Sequence, residues 1–282
     1  LGEDYLGVVC KQFPRYSEYY GTIKESGIGL ACEEAARIIL SENRPFSMET
    51  AACDEEYEPS SEYDSSFALQ IFAAREAVFK ILAKESLSIH EKLIVILDMG
   101  SKIQQCINTD EYDNIKSVVN DYLKEGIAHT LDETRNLSDS GQFEDISLQQ
   151  GIRQILYPYE EMEVLNPEWE VILKDIIDSL FEQMSDEEYN ILNEEFGTYM
   201  VSRAYEYRQL LEYLVFRYFA KSIYDYDFLG KCQMLVTNFF VIRQMDIIRW
   251  LDNHREYSFK DRMDVVHIFS RQVEYSEDNI EN

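Results

Sequence analysis

Between Pro167 and Met184 the apolar side chains fall at Trp169, Ile172, Leu173, Ile176, Ile177, Leu180, Phe181 and Met184. Steps of three and four residues place all eight on one stripe of a helix, and no strand could present them together. Asn166 stands as the cap and Pro167 takes the first helical position, where its missing N–H costs nothing. A helix of this kind must bury its stripe against neighbours, and the rest of the chain supplies them.

The same spacing recurs elsewhere. Ile115, Val118, Val119, Tyr122 and Leu123 predict a helix over 111–128. A shorter helix is read from Leu30 to Leu40, and a longer one over 67–85 with Phe72, Val78, Phe79 and Leu82 on one side. Ser88 with Glu91 forms a capping box ahead of Leu93, Ile94, Ile96 and Leu97, and Ser185 with Glu188 opens another helix. Residues 200–222 carry Leu211, Leu214, Val215, Tyr218 and Phe219 on one face. Residues 226–252 are apolar on most sides, which predicts a central, buried helix. Ser258 with Asp261 caps a last helix bearing Met263, Val266, Phe269 and Val273, and the acidic tail from Glu274 is expected to fray. Residues 130–151 are polar, with a turn expected at Ser138 to Gly141. Only 11 Gly and 5 Pro punctuate 282 residues, and no alternation of the strand type runs for more than a few positions. Helices of unequal length without a shared signature argue against a solenoid. The fold class is therefore all-α, an irregular multi-helix bundle of about 8–10 helices.

Residues 1–27 read as irregular, and 46–66 as an acidic linker or surface loop with Asp54, Glu55, Glu56, Glu58 and Glu62. The helical domain is expected over 67–282, divisible into 67–150 and 151–282.

With 54 acidic against 26 basic residues the net charge is −28. Such a field repels a phosphate backbone and an anionic bilayer, so neither nucleic acid nor membrane is an expected partner. It suits solubility and a basic or lysine-bearing protein. The most apolar stretch, Met234 to Trp250, is interrupted by Asn238, Arg243, Gln244, Asp246 and Arg249 and is not a membrane span. No signal peptide is recognised. Leu1 where an initiating Met would stand reads as a fragment with sequence upstream. The five cysteines, Cys10, Cys32, Cys53, Cys106 and Cys232, are odd in number and form no C-x-x-C pair. That pattern points to a reducing, cytoplasmic setting rather than a disulfide framework.

No dinucleotide-binding fingerprint, Walker loop, H-E-x-x-H or G-x-S-x-G is present. His90, His129, His254 and His267 lack metal-site spacing, and His267 reads as a structural residue. Glu187-Glu188 and Glu194-Glu195 read as solvated helix faces. Tyr205, Tyr207, Tyr213, Tyr218, Tyr224 and Tyr226, with Arg203, Arg208 and Arg217 between them, either pack in the core or line an amphipathic pocket. Cys32 and Cys106 read as small buried groups. Cys10, followed by Lys11-Gln12-Phe13-Pro14, could be the last ligand of a metal cluster whose other ligands lie upstream, since one thiolate holds no metal alone.

Four stretches resemble the flagellin lysine-N-methylase family of bacterial flagellar methylases. They are LGEDYLGVVCKQFPR at 1–15, GLACEEAARIIL at 29–40, LLEYLVFRYFAKSIYD at 210–225 and VVHIFSRQVEY at 265–275. The second carries Ala31 and Glu33 where that family shows Ser and Pro. The resemblance makes 1–45 the remnant of a cysteine-rich N-terminal region plus the first helix. It implies methyl transfer from S-adenosylmethionine to lysine ε-amino groups of flagellin, and an iron–sulfur cluster or other metal to which Cys10 would contribute. It assigns no catalytic or donor-binding residue here, and carboxylates and tyrosines of 199–227 stand as candidates. The alternative is a non-catalytic acidic all-helical module that binds a protein partner through apolar grooves.

Overall fold

A computed structural model describes residues 13–52, 64–140, 146–276 and 279. Helix covers 73% of the chain, and one small two-stranded sheet accompanies it. The fold is thus predominantly all-α, as the periodicity predicts.

The chain enters through β1 (Arg15–Tyr20) and β2 (Ile23–Ile28), an antiparallel hairpin with Tyr16 opposite Gly27 and Tyr20 opposite Ile23. This corrects the reading of residues 1–27 as irregular, for the part that is described. Gly21 turns the chain at φ 60°, in the first position of a two-residue loop where such turns require glycine. One hairpin face packs inward through Tyr16, Glu18, Tyr20 and Glu25. Glu25 is neutralised by the buried Arg75, whose Nη1 donates to Glu25 Oε2 at 2.6 Å. Glutamates on the inner face hide the alternation that would have revealed the strands.

Next come α1 (Glu33–Leu40), α2 (Ser65–Leu82) and α3 (Ile89–Asn108). Asp64 caps α2 by accepting from the amides of Ser66 and Phe67, and the Ser88–Glu91 box opens α3. Within the expected linker, Phe46 stacks on Phe79 at 4.1 Å, so that segment begins docked to the bundle. Then α4 (Ile115–Asp121) runs through one π-helical turn, Tyr122–Gly126, into α5 (Ile127–Asp139). Ser138 therefore still lies in a helix, and Gly141 lies outside the described residues. A capping box from Ser147 and Gln150 starts α6 (Leu148–Glu160), which the polar sequence of 130–151 concealed. Helix α7 (Pro167–Ile176) continues into a second π-helical segment, Ile177–Glu182, before α8 (Asp186–Tyr199). The Asn166 cap and the Ser185–Glu188 box are both formed.

The last third holds α9 (Ala204–Tyr218), the short α10 (Ser222–Asp225), α11 (Phe228–Asp252) and α12 (Phe259–Val273), the last opened by the Ser258–Asp261 box. Helix α11 is the axis of the fold. Leu235, Phe239, Val241, Ile242, Met245 and Ile247 are each at most 2% exposed. Burying a side chain of this size contributes roughly 1.5–3 kcal/mol. No helix among the described residues is long and apolar enough to cross a membrane.

Helices α3 and α11 pack tightly at Gly100, where an added Cβ would meet Cys232 Sγ at 2.6 Å. Gly100→Ala is expected to destabilise the protein by about 1–3 kcal/mol through overpacking, despite alanine's better helix propensity. Adding Cys232→Ala should recover most of that loss, which urea unfolding of the two variants would measure.

Asp98, also on α3, accepts from Thr130 Oγ1 at 2.6 Å, from Lys102 Nζ at 3.2 Å and from the Tyr122 hydroxyl. Burial acts to raise its pKa, but these donors outweigh it and hold the carboxyl below its ordinary value. Its stabilisation is therefore complete above the unfolded pKa of about 3.9 and is lost as the pH falls through the lower folded value. Asp98→Asn should unfold earlier in urea at pH 7, with the gap to wild type closing below about pH 4.

Candidate functional site

Helix α9 places Tyr213 and Arg217 one turn apart, with Tyr218 beside them, so that all three reach the end of α12. There Glu274 closes the helix with its amide on Ser270 O at 2.9 Å, and its side chain is 1% exposed. Glu274 Oε2 accepts from Tyr213 at 2.7 Å and from Tyr218 at 3.0 Å, and Arg217 Nη1 lies 3.0 Å away. Arg217 also donates to the Tyr213 hydroxyl at 2.6 Å and stacks over Tyr16 at 4.5 Å. Burial drives the Tyr213 and Tyr218 hydroxyls far above the usual phenol range, with Glu274 adding to the effect. They are neutral donors at physiological pH. Oε1 of Glu274 is buried without a hydrogen-bond partner among the described residues.

For Glu274 and Asn279 the expected fraying of the tail is thereby overturned, while residues 277, 278 and 280–282 lie outside the described residues. Asn279 is buried and donates to Glu163 O and Gln272 O, both at 2.9 Å, while accepting from Glu163 N at 2.9 Å. Gln272 accepts from Leu165 N at 3.0 Å. The segment before α7 is thus held by Gln272 and Asn279.

Glu274, Tyr218 and Asn279 stand on the wall of a cavity of about 510 Å³. The first turns of α11 form another wall with Lys231, Met234, Thr237 and Asn238, and Tyr159 and Met162 a third. Tyr159 donates to Asn238 Oδ1 at 2.5 Å and lies 3.1 Å from Thr237 Oγ1. Both charges are represented: Lys231 pairs with Asp225 at 2.6 Å, and Lys221 with Glu18 at 3.2 Å. An enclosure of this size with aromatic, apolar and oppositely charged walls is the kind that takes a small zwitterionic molecule.

The six tyrosines named from the sequence do not share one pocket. Tyr213 and Tyr218 meet at Glu274. Tyr207 belongs to a second buried network, in which Asp246 accepts from Tyr207 at 2.5 Å, from Arg262 Nη1 at 2.5 Å and from the Tyr257 hydroxyl. Arg262 Nε also donates to Glu206 at 3.0 Å, and Arg203 braces Glu206 from the other side at 2.6 Å. Apart from the partly exposed Arg203, this network is buried, and it joins α9, α11 and α12. Tyr205 is half-buried, and Tyr224 and Tyr226 are exposed. Arg208 pairs with Glu212 at 2.8 Å. Glu187, Glu188, Glu194 and Glu195 are exposed, as expected, with Glu188 engaged as a cap.

Sequence reasoning passed over Glu274, Asn279, Arg262 and Tyr159. The signal for Asn238 and Asp246 was present, because each interrupts the most apolar run of the chain. A polar side chain on a buried face must find a partner inside the protein.

Cys10 and Cys53 lie outside the described residues. Cys106 and Cys232 are buried, and Cys32 is the residue before α1. Among the described residues no three His, Cys, Asp or Glu side chains are grouped to hold a metal ion.

Glu274→Ala is expected to cost about 3–5 kcal/mol, because it leaves Arg217 buried without a counter-charge. Tyr218→Phe removes one hydrogen bond to the carboxylate and should cost about 1.5–3 kcal/mol. Equilibrium urea unfolding would check both, and a Glu274→Leu/Arg217→Met pair should lose less than the sum of its single changes.

A family model described as the FliB lysine N-methylase C-terminal domain matches residues 75–282. That span covers α3 to α12, the C-terminal part of α2 and every wall of the cavity. Comparisons with curated proteins and with solved structures found no match. Matched over more than half of its length, the chain belongs to the FliB lysine N-methylase C-terminal domain family.

Proposed function

We propose that this protein N-methylates lysine side chains of flagellin with S-adenosylmethionine as donor, and that the cavity beside Glu274 receives the donor and the target lysine. One observation carries the reading. In a chain of this family, a cavity of about 510 Å³ is walled by a buried carboxylate, neutral tyrosine hydroxyls and the Lys231–Asp225 ion pair.

Bound S-adenosylmethionine supplies an electrophilic methyl group on a sulfonium sulfur. Its amino-acid end carries both charges, which Lys231 and Lys221 on one side and Asp225 and Glu274 on the other would complement. Tyr159 and Tyr218 offer aromatic faces to a cation. The target lysine reaches the cavity as an ammonium ion and reacts only as the free amine. The apolar walls at Met162, Met234 and Val273 lower its pKa by excluding water. Glu274 is the group assigned to draw in the ammonium ion and to take its proton. The tyrosines and Arg217 hold that carboxylate in place.

The acidic surface assists by attracting lysine-bearing segments, an effect that weakens with salt. Cys10 is kept as a ligand of an iron–sulfur cluster or other metal. The described residues furnish no ligand set for such a group.

Flagellin co-expressed with the intact gene encoding this chain should gain increments of one methyl mass on its lysines, read by intact-mass spectrometry. Met234→Trp, which fills the cavity from a half-buried position, should reduce those increments at least tenfold, on the order of the loss expected when substrate positioning is disturbed, with the unfolding midpoint little changed. Cys10→Ser separates a cluster ligand, whose loss abolishes the increments, from a packing residue, whose loss spares them. Unmethylated flagellin beside folded, metal-loaded wild-type protein would favour a non-catalytic interaction module.

A further inference from the structure

Three arginines among the described residues are at least nine-tenths buried: Arg75, Arg243 and Arg262. Arg75 is neutralised by Glu25 and Arg262 by Asp246 and Glu206. Arg243 differs. It is 7% exposed, its Nη2 donates to the carbonyl of Asn193 at 2.9 Å, and its guanidinium stacks on Phe196 at 5.2 Å. No Asp or Glu among the described residues forms an ion pair with it, in a chain with a net charge of −28. A buried cation without a counter-charge is costly to hold, so a chain this rich in carboxylates would be expected to pair it internally.

The guanidinium stands on the wall of a cleft of about 400 Å³ between α6, α8 and α11. His90, Asn190 and Asn193 contribute polar groups to the cleft, and Leu148, Ile152 and Phe240 its apolar wall. Gly197 leaves the approach open, since even a Cβ there would lie 3.6 Å from Nη2. Glu194, the one acid on the lining, is exposed and outside ion-pair distance. Burial, with Arg243 adding to it, lowers the His90 pKa, which leaves a neutral imidazole able to donate or accept a hydrogen bond.

We propose that this cleft is a binding site for a small molecule bearing a carboxylate or phosphate group, held by the guanidinium of Arg243 with the amides of Asn190 and Asn193 beside it. A guanidinium fork matches either oxyanion in a bidentate arrangement. The site is separate from the cavity at Glu274 and does not depend on methyl transfer.

Calorimetric titration of the full chain at constant ionic strength, with inorganic phosphate and with succinate as probes, tests it. Saturable one-to-one binding of at least one probe is expected, and the preferred probe tells a phosphorylated ligand from a carboxylic one. Asn190→Asp adds a like charge at an exposed position, leaves the fold intact and should raise Kd roughly tenfold or more, as should Arg243→Met. Arg243→Lys should bind more weakly than wild type and more tightly than Arg243→Met. Absence of saturable binding of either probe to the folded wild type would overturn the proposal. So would an affinity unchanged in Asn190→Asp.

Discussion

Helix α11 is buried on nearly every side, yet it carries Asn238, Arg243, Gln244 and Asp246 in its inner half. Each of these must find its hydrogen bonds within the protein, and together they find them on four neighbouring helices. Asn238 is met by Tyr159 of α6, Arg243 by the Asn193 carbonyl of α8, and Gln244 by the Tyr189 hydroxyl of α8 at 2.8 Å. Asp246 gathers Tyr207 of α9 and Arg262 of α12. Apolar packing drives these helices together but fixes their rotation only loosely. Four directional contacts along one axis fix it, because a helix turned by one residue would strand a charge in an apolar interior.

The cavity at Glu274 follows from that arrangement. Helices α9 and α12 are locked to α11 near Asp246, and the wall of the enclosure is set where they continue past that lock. Arg217 and Glu274 form a second ion pair of the same design at the far end of the same helices. The two networks differ in what lies beside them. The one at Asp246 is closed by the rings of Tyr207 and Tyr257, which cover Arg262 at 4.3 and 5.5 Å. The one at Glu274 borders open volume, while each network keeps one buried polar atom, Arg262 Nη2 or Glu274 Oε1, without a hydrogen-bond partner among the described residues. A closed network stabilises and orients, whereas one at a cavity edge can also engage a ligand.

Much of this was legible in the sequence. Period-3.6 spacing located the helices, and the Ser88, Ser185 and Ser258 capping boxes set three of their starts within one residue. The hairpin escaped because Glu18 and Glu25 occupy the face that a strand pattern reserves for apolar residues, their charges answered by Lys221 and Arg75 from distant positions. Helix α6 escaped because its sequence is polar at its start and Pro158 stands near its end. The tail escaped for a related reason. Glu274 and Asn279 look like solvent residues until Arg217 and the backbone at Glu163 are brought to them. For the hairpin and the tail, local composition was outweighed by partners distant in the chain.

The same reasoning bears on the tyrosine–arginine cluster. Helical spacing places Tyr213 and Arg217 on one face, since residues four apart are neighbours, whereas Tyr218 reaches the same carboxylate from the adjoining face. It could not separate Tyr207, which lies six residues before Tyr213 and so faces another neighbour. Nor could it reveal the carboxylates that complete either network, because Asp246 and Glu274 come from other helices. Sequence periodicity thus reports which side chains one helix offers, while the chemistry of a site depends on what a second helix returns. In this fold the returning groups come from α11 and α12, inside the span that defines the family. The shared part of the chain therefore contains the Glu274 network apart from Tyr16, which the hairpin lays over Arg217, and Leu30, whose amide donates to the Tyr213 hydroxyl at 3.4 Å. The N-terminal segment thus packs against two of the groups that hold Glu274 in place.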